Sequence, residues 1–163
     1  MAGKNYEVLV RHILDNQDKF YKIAYCYTNN RDSALDVVQN AICKALEKYM
    51  TLRNPKAVKT WFYKILLNEA FGYHRKNAKE IAYDPVDLKE EVYKEPAFEA
   101  GLELYKEVCR LSEEMKTVVI LHYYEELTFK EISAVTGVNI STVKSRLYAA
   151  LDKLKKKIRE ESE

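Results

Sequence analysis

Glycine and proline are scarce in this chain, with four of the first and three of the second among 163 residues. With only Gly3, Gly72, Gly101 and Gly137, no glycine-rich loop is available to cradle a phosphate, which argues against a nucleotide-dependent enzyme. No alternation of apolar and polar residues persists long enough to build a sheet, so the expected fold is all-α. No apolar stretch approaches the roughly 20 residues of a membrane span, and no signal peptide is expected at the start. Cys26, Cys43 and Cys109 are odd in number and far apart, without a C-x-x-C pair. Each falls within an apolar helical pattern, and they are read as buried thiols of a reducing compartment rather than as a metal site or a disulfide. His12, His74 and His122 are equally scattered and are read as structural. No nucleophile–base pair or metal-ligand cluster recurs at a useful spacing, so neither catalysis nor a cofactor or metal is expected.

What the chain does have is charge, unevenly placed. The formal net charge is only +2, yet residues 1–79 carry a net +7, residues 80–99 a net −5, and residues 100–163 a net of zero. Within the last block, residues 141–159 hold seven cations against Asp152, a net +6. Two basic surfaces are thus separated by an acidic strap, a pattern that any functional reading has to explain.

The most informative stretch runs from Leu127 to Leu147. Thr128 with Glu131 three residues later forms a capping box, and Ile132 and Val135 give the helix it opens an apolar face. Gly137 supplies the positive φ that ends this helix. Asn139 then caps a second helix, in which Val143, Leu147, Ala150 and Leu151 share a core-facing stripe. Thr142, Lys144, Ser145, Arg146 and Tyr148 are left to point elsewhere. Two short helices around a glycine turn, the second offering small polar and basic side chains, describe a helix-turn-helix whose second helix enters a DNA major groove. Lys144 and Arg146 are the expected base-edge readers. An ordinary helical hairpin with a solvated basic face is the competing reading.

Two small helical domains are expected: residues 5–79 and residues 100–159, joined by an acidic linker at 80–99 that contains Pro85 and Pro96. The first domain reads as four helices, with a loop from Tyr49 to Lys56 before the fourth. On that fourth helix, a step of about 100° per residue places Trp61, Lys64, Asn68, Phe71 and Arg75 in one stripe. Phe62, Ile65, Leu66 and Tyr73 are left to fill a core. Cations, rings and an amide interleaved in this way suit single-stranded nucleic acid: phosphates meet the cations, splayed bases stack on rings, and the amide reads a base edge.

Taken together, these residues resemble the extracytoplasmic-function group of the bacterial sigma-70 factors, promoter-recognition subunits of RNA polymerase. The resemblance covers Tyr6 to Ile158 and rests on two blocks. One is Asp36-Val37-Val38-Gln39 continuing through Lys59-Thr60-Trp61-Phe62-Tyr63-Lys64-Ile65 to Asn68. The other is His122-Tyr123-Tyr124-Glu125-Glu126-Leu127-Thr128 through Thr142-Val143-Lys144-Ser145-Arg146-Leu147. It implies a region 2 helical bundle that docks on the β′ coiled coil of core polymerase through Asp36, Gln39 and Asn40. It implies that the Tyr49–Pro55 loop and the Asn68 helix capture bases of the melted −10 element. Region 4 would read the −35 element through Thr142, Lys144, Ser145, Arg146 and Tyr148 and pack on the β flap, with the linker in the RNA exit path.

The resemblance further implies a cytoplasmic protein, monomeric when free and not inserted in a membrane, and an anti-sigma factor, often membrane-anchored, as an additional partner. Asn40 stands where an acidic residue usually follows the glutamine, and Ala149 where many relatives carry arginine. Phe62 replaces one member of the tryptophan pair of housekeeping sigmas, which implies strict promoter dependence. Two rival functions fit parts of the chain. A stand-alone helix-turn-helix repressor or activator would dimerise on a palindromic site. A protein–protein adaptor would use the same helices to hold a partner.

Overall fold

The computed structural model describes the backbone of residues 2–76 and 99–162 and the side chains of residues 3–73 and 103–160. Among the described residues every regular element is helical. The chain divides into two compact units, Met1–Glu91 and Val92–Glu163. Of the acidic segment expected to link them, residues 80–98 lie outside the described residues, while Glu99 opens a helix of the second unit.

The first unit contains α1 (Ala2–Asp15), α2 (Gln17–Thr28), α3 (Arg31–Glu47) and α4 (Val58–Lys76), with 3-10 turns at Tyr49–Thr51 and Pro55–Ala57. Asparagines punctuate it. Asn29 takes the left-handed conformation that ends α2, at φ 52°, and its N–H donates to the Tyr25 carbonyl at 2.8 Å; asparagine tolerates that conformation better than most residues. Asn30 then caps α3 by accepting from the Ser33 N–H at 2.9 Å. Asn54 accepts from the Lys56 N–H at 3.0 Å, with Pro55 at the first helical position, and so turns the chain into α4.

Helix α3 packs against both α2 and α4, which also touch each other, and α1 lies against α3, α4 and both 3-10 turns. Ala34, Ala41 and Ala45 are fully buried on α3, and side chains this small let neighbouring helices approach closely. The centre of the unit is aromatic. Phe20 and Phe62 stack with centroids 4.4 Å apart, and Tyr63 meets Phe20 edge-on at 5.9 Å. Burying each ring stabilises the fold by about 1.5–3 kcal/mol. His12 joins this cluster at 5.5 Å from Phe20 and 5.8 Å from Phe62.

The second unit contains α5 (Glu99–Cys109), α6 (Glu113–Val119), α7 (Phe129–Thr136) and α8 (Ile140–Ser162), with a π-helical turn at Ile120–Tyr124 continuing α6. Ser112 caps α6 by accepting from the Met115 N–H at 3.3 Å, and Glu113 and Glu114 place acidic charge at the positive end of the helix. Helices α6 and α7 both pack on α8, and Val118, Ile132, Val143 and Leu147 are buried on these helices, as is Leu121 in the π turn. The wider π turn brings Tyr123 and Tyr124 to the surface. Lys116 is buried, and desolvation pulls its ammonium down to about 8 despite the opposing charge of Glu113.

The reading of three buried thiols does not hold. Cys26 and Cys109 are buried, but Cys43 stands exposed on α3 and is the one free thiol among the described residues. Its spacing from Ala41 and Ala45 turns it away from the seam those alanines make. Near the end of α8, Ile158 is 52 % exposed, because the helix outruns the core at Leu154.

Candidate nucleic-acid interface

The helix-turn-helix is built as its local sequence dictates. Thr128 Oγ1 accepts from the Glu131 N–H at 3.1 Å while the Glu131 carboxylate accepts from the Thr128 N–H at 3.0 Å, closing the capping box in both directions. Gly137 ends α7 at φ 79° and donates its N–H to the Ser133 carbonyl at 2.9 Å. The Ser133 hydroxyl braces the turn by donating to the Val138 carbonyl. Asn139 accepts from the Thr142 N–H at 2.8 Å and so caps α8.

The faces of α8 then follow from its period of about 100° per residue. Val143, Leu147, Ala150 and Leu154 are buried along one stripe. Ser145 points almost directly away from that stripe, with Ser141, Tyr148 and Ala149 within about 50° of the same outward line. Tyr148 is 62 % exposed there. The cations do not share this line. Lys144 lies about 90° to one side, while Thr142 and Arg146 lie about 70° and about 110° to the other. Each cation has an intramolecular neighbour: the Lys144 ammonium stands over the Phe129 ring at 5.7 Å, and Arg146 faces Glu114 of α6 at 3.7 Å. The Arg146 side chain is only 26 % exposed.

On α4, Lys64 and Asn68 are exposed, opposite the buried Phe62, Tyr63, Leu66 and Ala70. Trp61 is half-buried at the start of this stripe, and its indole N–H donates to Thr51 Oγ1 at 3.3 Å, tying the helix to the loop before it. Phe71 is half-buried, with its ring edge-to-face on Tyr27 at 5.6 Å. It therefore offers less open surface than its place in the stripe suggests. The side chain of Arg75 lies outside the described residues. In the loop, Leu52 is buried and its carbonyl accepts from Asn5 at 2.6 Å, while Met50, Thr51, Arg53 and Asn54 stand exposed. The single buried anchor at Leu52 decides which side chains of this loop turn outward, a choice its sequence does not mark.

Asp36, Gln39 and Asn40 are exposed on α3. Gln39 also borders an open groove of about 570 Å³ between α2 and α3, floored by Leu35, Val38 and Ile42 and edged by Asp18 and Arg31. Among the described residues no cluster of His, Cys, Asp or Glu could hold a metal ion, and no helix is long and apolar enough to cross a membrane.

Both halves of the chain match sigma-70 family models: region 2 over residues 12–80 and region 4 over residues 101–154. The chain belongs to the extracytoplasmic-function group of the sigma-70 family. It is an alternative RNA polymerase sigma factor, a transcription initiation factor and not an enzyme. It is similar to the RNA polymerase sigma factor SigV of Bacillus subtilis, at 40% identity over 88% of this chain and 87% of that one. The ECF RNA polymerase sigma factor SigW of the same organism is 24% identical over 88% of this chain and 85% of its own length. The fold of this sigma factor is also that of RpoE from Bartonella quintana, solved in complex with the anti-sigma factor NepR. That match has a TM-score of 0.73 and 24% identity, over 91% of this chain and 95% of that one. CnrH, solved with the cytosolic domain of CnrY, matches with a TM-score of 0.70 and 16% identity over 98% of this chain and 95% of that one.

Proposed function

We propose that the two halves of this sigma factor grip a promoter in two different states. Residues 100–159 close on the intact −35 duplex, and residues 5–79 hold core polymerase and the parted strands of the −10 element, with residues 80–99 as the connecting strap. The observation that carries this reading is the layout of α8, where a stripe of small side chains with one tyrosine faces outward between two cationic flanks. A helix inserted in a major groove meets base edges along its outward line and phosphates along its sides. Ser145 and Tyr148 are therefore assigned to base edges, and Lys144, Arg146 and Thr142 to the two walls of the groove.

On α4, Lys64 and Arg75 are assigned to the phosphates of the melted strand, Asn68 to a base edge, and Trp61 and Phe71 to stacking. Asp36, Gln39 and Asn40 are assigned to the β′ coiled coil, with the neighbouring groove free to take an apolar side chain, and region 4 to the β flap. The place of action is the cytoplasm, where polymerase and promoter DNA reside, and the free protein is a monomer. An anti-sigma factor is proposed as a further partner, by analogy with the complex of RpoE with NepR.

Transcription reconstituted from core polymerase, this protein and a library of promoter fragments tests the reading. Initiation should require the protein and select fragments that carry both elements. Equal firing of all fragments, or tight site-specific binding of the protein without polymerase, would overturn it.

A further inference from the structure

We infer that Phe129, which touches no base or phosphate in the assignment above, is a positioning residue for Lys144. The inference rests on reading α8 as the helix that enters the groove. Phe129 is the first residue of α7 and half-buried. The imidazole of His122 lies nearly parallel to its ring, 4.7 Å away at 25°, and the Lys144 ammonium stands over the ring at 5.7 Å. That distance is within cation–π range. The stack is anchored from below. His122 Nδ1 is 3.0 Å from the Leu127 carbonyl, and because a carbonyl can only accept, Nδ1 carries the proton. Leu127 is itself buried, and its N–H donates to the Leu121 carbonyl at 2.9 Å. The capping box of Thr128 and Glu131 fixes the start of α7, the backbone that carries the ring.

The choice of a ring matters for DNA binding. A free lysine samples many rotamers that must be frozen when it meets a phosphate, and narrowing them beforehand reduces that cost. A carboxylate would also hold the ammonium, but it would cancel the charge the DNA has to meet. Arg146 illustrates that case, since DNA must compete with Glu114 for it. An aromatic face restrains Lys144 and leaves its charge available. Phe129 thus sets the direction from which Lys144 reaches the wall of the groove, across 15 residues of sequence and between two helices.

The test uses holoenzyme reconstituted with full-length protein carrying Phe129→Leu, Phe129→Tyr, Lys144→Ala, or Phe129→Leu combined with Lys144→Ala. Promoter binding is measured over a range of potassium chloride concentrations. Phe129→Leu should weaken binding about two- to five-fold, the equivalent of an exposed cation–π contact. It should leave the salt dependence unchanged, because the charge is still present. Lys144→Ala should reduce the log–log salt slope by about 0.9, one phosphate contact. The double variant should bind no worse than Lys144→Ala alone, and Phe129→Tyr should restore wild-type binding. If Phe129→Leu costs as much in the Lys144→Ala background as in the wild type, the ring merely supports the fold and the inference is overturned. If the wild-type holoenzyme fails to distinguish promoter from random DNA, the reading of α8 falls with it.

Discussion

Arg146→Ala separates two ways in which this sigma factor could use its tail half. Before the structure is considered, Arg146 is an obvious base reader, a guanidinium in the first turns of a recognition helix. In the fold it lies about 110° from the outward line of α8, farther than any other candidate on that helix. Its side chain is mostly covered, and it faces Glu114 at 3.7 Å. Glu114 is 67 % exposed and the gap is long for an ion pair, so the pair adds at most about 1 kcal/mol to stability and the variant should fold. A flank position makes the expected contact a phosphate. Losing one charge-assisted hydrogen bond there costs about 1.5–3 kcal/mol, or roughly 10- to 150-fold in affinity.

The cost should be the same for every upstream sequence, and the log–log salt slope should drop by about 0.9. The assay is holoenzyme binding to promoter fragments carrying each single substitution across the −35 element, repeated at several salt concentrations. A preference profile that flattens at one base pair while the salt slope stays put would show Arg146 reading a base edge, and the angular argument would be wrong. Tyr148→Ala is the companion measurement: it should flatten the profile locally and leave the slope alone.

Three further outcomes are expected. Asn68→Ala on α4 should spare closed-complex binding and impair strand opening, read as lost permanganate reactivity near the start site; full reactivity would remove Asn68 from the melting surface. His12 should make the first unit acid-sensitive. Burial, helped by Lys59 and Lys19 and opposed by Asp15, holds its imidazole below the ordinary value, and its Nε2 is buried without a hydrogen-bond partner among the described residues. Protonation then favours the unfolded chain, so stability should be full above about pH 6.5 and fall as the pH drops through the depressed folded value. The fluorescence of the sole tryptophan, Trp61, during urea unfolding reports this unit, and His12→Phe should reduce the loss of stability just below about pH 6.5. Thr128→Ala, which opens the capping box, should cost the second unit about 1 kcal/mol in thermal unfolding; no change would mean that packing alone holds α7.

The local punctuation of this fold was legible in its sequence. Thr128 with Glu131, Gly137 and Asn139 act within three or four residues of themselves, through side-chain–backbone hydrogen bonds whose geometry any helix end provides. The apolar period of α8 likewise named Val143, Leu147 and Ala150 as core, and the stripe on α4 put Lys64 and Asn68 at the surface. Phe71 shows where that reasoning stops. Its angle placed it in the stripe, but Tyr27 of α2 covers one edge, and only the packing of α2 on α4 could reveal that. Cys43 fails for another reason: an apolar neighbourhood in sequence does not make a residue buried, and the period of Ala34, Ala41 and Ala45 along α3 leaves the thiol on the opposite side.

Helical periodicity and capping are properties of a chain interacting with itself over one or two turns, so the amino-acid order alone determined an all-helical protein with a capped, glycine-turned DNA-reading motif. The fates of its charges were decided elsewhere. Glu114 meets Arg146 and Phe129 meets Lys144 only because α6, α7 and α8 fold onto one core, and His12 is partly desolvated only where packing sets its ring against Phe20, Phe62 and Tyr63. Coulombic and desolvation energies depend on distance through space, and distance through space is what tertiary packing sets.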